Sequence, residues 1–139
     1  MIRCAPLNCP SGGLIRVQDP FSIPHKLPML VALEAASHPS DVIAWCNPEE
    51  DIAGFFHSMG RVAWPASQLV IAHAVIVRPD VGPGAAGLEL GLQDGGPESP
   101  VLVSRPFRDD VAVWLASQRA LLADFLGIEV IWKDYGFDR

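Results

Sequence analysis

Charge is scarce in this chain: of 139 residues only 19% are Asp, Glu, Lys or Arg, against roughly 25% in an ordinary globular domain. Of its ten basic residues only two are lysines, and no stretch gathers them into a cluster. Binding to a phosphate backbone draws its affinity from cations that displace counterions, so the composition argues against a nucleic-acid partner. Long apolar runs are missing too. The longest, Leu69 to Val77, is broken by His73, whereas a membrane helix needs about 20 apolar residues, and no membrane partner is expected. The opening Met1-Ile2-Arg3-Cys4 lacks a charged region leading into an apolar one, which sets the expectation of a cytoplasmic protein. Three cysteines cannot all pair, so no disulfide framework is expected. There is no dinucleotide fingerprint, serine nucleophile elbow or paired-cysteine array, and no cofactor or resident metal is expected.

Apolar residues are abundant. They make up 50% of the chain, and the mean hydropathy is +0.26. A disordered segment would lack that apolar area, and the length suits a single domain. The net charge of −6 is an ordinary solubility charge. With so few ions to coat it, the folded chain should leave apolar surface exposed until a partner or second subunit covers it. The richness in Ala, Val and Arg associates with GC-rich bacterial genomes.

Residues 1–28 form a Pro-rich opening segment that leaves room for one short strand, Leu14 to Gln18. Leu27 to Ala36 has helix-forming composition with Pro28 at a first-turn position, though a strand over Met29–Leu33 competes. The stretch Ser40 to Cys46 reads equally as a capped helix or a strand. Asn47 at an N-cap, Pro48 after it and Glu50 in the first turn then predict a helix over 48–59. Ile52, Phe55, Phe56 and Met59 would form its apolar face, and Gly60 would close it. Gln68 to Arg78 is apolar on both faces, as a central strand should be. Leu88 to Gln93 alternates, and Val101 to Arg105 follows a Gly-Pro turn, so the three runs predict an antiparallel meander. From Asp109 a helical period runs to Gly127, with acidic residues at its positive end, and a strand over 128–133 follows.

The residues with chemical potential each have a plainer role. Cys46 ahead of a helix N-terminus could become a thiolate beside His57, yet Ile43 and Trp45 adjoin it and free cysteine packs well in cores. Cys4, Cys9, Cys46 and His57 have zinc-ligand chemistry without zinc-module spacing. His73, amid small neighbours, is either a packed neutral imidazole or a general base. His25 and His38 adjoin prolines and read as loop residues. Residues 82–87 resemble a phosphate loop in composition alone, because a strand follows them. Asp109 and Asp110 suffice as helix caps, and Arg105, Arg108 and Arg119 form at most a small anion-binding group. At the chain end Trp132, Tyr135 and Phe137 are candidate partner-binding rings, with Trp64 and Phe21 as weaker ones.

The sequence therefore predicts an α+β domain: a mostly antiparallel sheet of four to six strands with two or three helices packed on it. The expected function is a small soluble protein-interaction module, an adaptor, inhibitor or regulatory subunit, acting through an apolar and aromatic surface. A structural or assembly subunit is one alternative. A small enzyme using Cys46 with His57, or His73, is the other.

Overall fold

The computed structural model describes residues 1–10, 15–21, 23–79, 84–93, 99–104 and 109–138. Over these the α+β class holds, with mostly antiparallel pairing, and the strands divide between two sheets. Strands β1 (Arg3–Pro6), β3 (Ile43–Asn47), β4 (Ile52–His57) and β5 (Gly60–Pro65) form a wholly antiparallel sheet in that order. The second sheet runs β2 (Ile15–Val17), β8 (Ser99–Ser104), β7 (Ala85–Leu92), β6 (Leu69–Pro79), β9 (Val130–Asp138), with only the β6–β9 pair parallel. Helices α1 (Met29–Ser37), α2 (Asp109–Ser117) and α3 (Arg119–Leu126) complete the set.

The expected helix over 48–59 is not there. A 3-10 turn (Pro48–Glu50) leads into β4, and Ser58 and Met59 turn the chain into β5. Its apolar spacing misleads because this sheet is covered on both faces. Ala53 and Phe55 point into the main core with Val62 and Trp64, while Ile52 and Phe56 pack on the far side with Ile43, Trp45 and Val31. A strand buried on both faces shows no clean period of two. Asn47 makes no side-chain cap. The turn is organised instead by Asp51, which adopts a left-handed φ of 52° and accepts from the Ser67 amide at 2.8 Å and the Ser67 hydroxyl at 2.5 Å. Gly60 begins β5, where a Cβ would stand 2.4 Å from the Val17 carbonyl oxygen.

The predicted meander is present as β6, β7 and β8. The region after Asp109 is helical with both aspartates in its first turn, but Gln118 breaks it into α2 and α3. Gly127 closes α3 in the left-handed region at φ 74°, its amide bonding the Ala123 carbonyl. The final strand extends to Asp138, beyond the expected 133. From β8, the chain crosses through α2 and α3 to β9, passing over β7 and β6.

The main core lies between the second sheet's inner face, α2 and α3, and one face of the first sheet. Trp114 ties these layers together: its ring is buried and its Nε1 donates to the Leu7 carbonyl at 2.5 Å. A smaller core, under α1, fills the other face of the first sheet.

Candidate interaction surface

Helix α1 starts where proline permits it. Pro28 has φ −61° and an extended ψ, lacks only a donor the first turn would not use, and accepts from the Val31 and Ala32 amides at 3.1 Å. At the other end the His38 amide bonds the Glu34 and Ala35 carbonyls, and its ring lies 3.3 Å from Glu34 and 3.6 Å from Asp41. The helix therefore has defined ends. Only Val31 is fully buried, seated on Ile43, Trp45 and Ala63, with Ala35 and Leu27 packed beside it.

The opposite face is turned to solvent and is almost wholly apolar. Met29, Ala32, Leu33 and Ala36 recur at i, i+3, i+4 and i+7, and all are exposed, as is Leu30. Met29 is 78% exposed, Leu33 61% and Leu30 45%. The helix carries a single charged residue, Glu34. A surface helix ordinarily turns its polar stripe outward; here both faces are apolar.

The rings singled out in the sequence do not form one surface. Trp64 is 1% exposed and stacks at 5.3 Å, tilted, on Phe55 inside the core, so it presents no ring to a partner. Trp132 and Phe21 are half-buried and lean on the main core. Among the rings whose side chains are described, Tyr135 is the open one, at 59% exposure. Phe137 pairs through its backbone with Arg78 at the end of β9, and its side chain lies outside the described residues. The tail is thus anchored as a sheet edge, and α1, whose outward stripe an amphipathic-helix search overlooks, supplies the larger exposed apolar face.

The catalytic candidates also separate. Cys46 sits in β3 opposite Ala53, and His57 opposite Gly60 at the far end of β4. Four residues of strand, about 13 Å, lie between those two levels, so there is no thiol–imidazole pair. The Cys4 sulfur lies 4.0 Å from the Leu30 carbonyl, and that of Cys9 accepts from the Val42 amide at 3.4 Å. Burial pushes both thiols above the ordinary value of 9.0, away from the nucleophilic form. His57 accepts from the Met59 amide at the hairpin tip. The four zinc-type residues are held in different local contacts, and among the described residues no His, Cys, Asp and Glu cluster could hold a metal.

His73 is 6% exposed in the middle of β6, in register with Glu89 and Ile131, on the outer face of the second sheet. His25 packs its ring at 6.3 Å from Trp45. Arg119 donates to the Val130 carbonyl at 2.7 Å, joining α3 to β9; Arg105 and Arg108 lie outside the described residues, as do residues 82 and 83. Among the described residues no helix is long and apolar enough to cross a membrane. No known protein family matches the chain, and neither a curated protein nor a solved structure matches it.

Proposed function

We propose that the protein is a soluble, cytoplasmic protein-interaction module that docks a partner through the outward face of α1. The observation that carries this reading is the apolar stripe Met29, Leu30, Ala32, Leu33 and Ala36 on a helix whose ends are fixed and whose other face is already packed. Such a face offers anchors at helical spacing to an apolar groove or to a second amphipathic helix. A partner that buries Met29 and Leu33 gains on the order of 1.5–3 kcal/mol for each side chain fully covered. The dispersed cysteines and histidines favour this reading over an enzyme built on Cys46 with His57.

The test is capture from a host lysate on immobilised wild-type chain and on a Met29→Lys, Leu33→Glu double variant. Both positions are exposed, so the variant should keep the wild-type melting curve. The expected result is one stoichiometric partner held by the wild type and lost from the variant, a weakening of at least about tenfold. Equal capture by both chains contradicts the proposal.

A further inference from the structure

The outer face of the second sheet carries a hollow that the α1 surface does not use. In β6 and β7 the residues Ala72, Ala74, Ile76, Ala86, Leu88 and Leu90 face the core, so the intervening His73, Val75, Val77, Ala85, Gly87 and Glu89 face the opposite way. One row of cross-strand neighbours runs over all five strands: Lys133, Val75, Gly87, Val103 and Arg16. Gly87, at its centre, has no side chain. A Cβ there would lie 2.4 Å from the Leu102 carbonyl oxygen, so the position stays bare, and the sheet is hollow above it.

The hollow holds about 130 Å³. Val75, Val77, Ala85, Pro100 and Val103 wall it, and among the described residues Glu89 is the one ionisable lining group. Among the described residues no hydrogen bond or ion pair engages the Glu89 carboxylate. The cations of the central row, Lys133 and Arg16, start two strands away on either side, about 10 Å from Gly87. A cavity of about 150 Å³ takes a six-carbon ring, so this one suits a body of roughly five non-hydrogen atoms. Apolar walls with one carboxylate at the side select a compact aliphatic group bearing a positive charge.

We infer that this hollow is a binding site for a small branched aliphatic amine in its ammonium form, held by Glu89 and seated over Gly87. The hydrocarbon displaces water from Val75 and Val103, and the ammonium donates to the carboxylate, a charge-assisted contact stronger than a neutral one. A carboxylic acid of the same shape would meet Glu89 as a like charge, and an alcohol would lose the ionic part of the contact.

Titration of the full chain with isobutylammonium, followed by amide NMR, tests the assignment. The expected result is saturable shifts at Val75, Gly87 and Val103 with millimolar affinity. Isobutanol and isobutyrate should bind at least about tenfold more weakly. Glu89→Gln should lose binding to the same extent while leaving the remaining spectrum in place, and Ala85→Leu, which fills the hollow and keeps the carboxylate, should abolish it. Absence of saturable shifts with the ammonium, equal binding of the alcohol, or unchanged binding in either variant overturns it.

Discussion

Cys9 sits where two opposing influences meet. Burial disfavours its thiolate, the Val42 amide donating to its sulfur partly offsets that, and the nearby Asp41 charge adds to the burial effect. Burial prevails, and the pKa lies above the ordinary 9.0. A group whose pKa is raised on folding stabilises the native state fully below its unfolded value, and that contribution is lost as pH climbs through the raised value. Two outcomes follow for this residue. Alkylation of Cys9 by iodoacetamide just below pH 9.0 should be slower than that of the same thiol in the urea-unfolded chain. Stability should fall more steeply above that pH in the wild type than in Cys9→Ala. Faster alkylation of Cys9 in the folded protein would show an activated thiol and contradict the dominance of burial at this residue.

The ends of elements are set by individual backbone positions. Gly127 caps α3 at φ 74°, and a Cβ placed there meets nothing within 4 Å. Gly127→Ala should therefore cost only the left-handed backbone penalty, about 1–2 kcal/mol in a urea melt, with Asn in that place costing less. A loss near zero would mean the cap does not hold the helix end. Gly127 was legible in the sequence because αL glycines follow helices with a strong apolar period, as were β6, β7 and β8 from their length, alternation and turns. Residues 48–59 were not legible. Ile52, Ala53, Phe55 and Phe56 are enclosed from two sides, and Asp51 takes a left-handed turn that local pattern does not announce. Nor could the register of five strands over Gly87 be read, since it joins residues 16, 75, 87, 103 and 133, which no local window contains.

At the level of the whole molecule, two cores serve two sheets. The larger one locks the second sheet, α2 and α3 against the first, and the smaller one seats α1 on the first sheet's far side. The low charge content foretold exposed apolar surface, but only the tertiary fold could reveal which element carries it: Val31 and Ala35 pack inward from α1, leaving Met29 and Leu33 outward. The aromatic tail looked the stronger anchor in sequence, yet β9 pairs it to β6 and turns Trp132 inward. The most direct measurement places a photo-crosslinking residue at Ala36, on the stripe, and separately at Val113, an exposed apolar position on α2. Irradiation in the native host should give one adduct of defined mass from position 36 and none from position 113. No adduct at 36, or the same adducts at both positions, would contradict a docking face on α1.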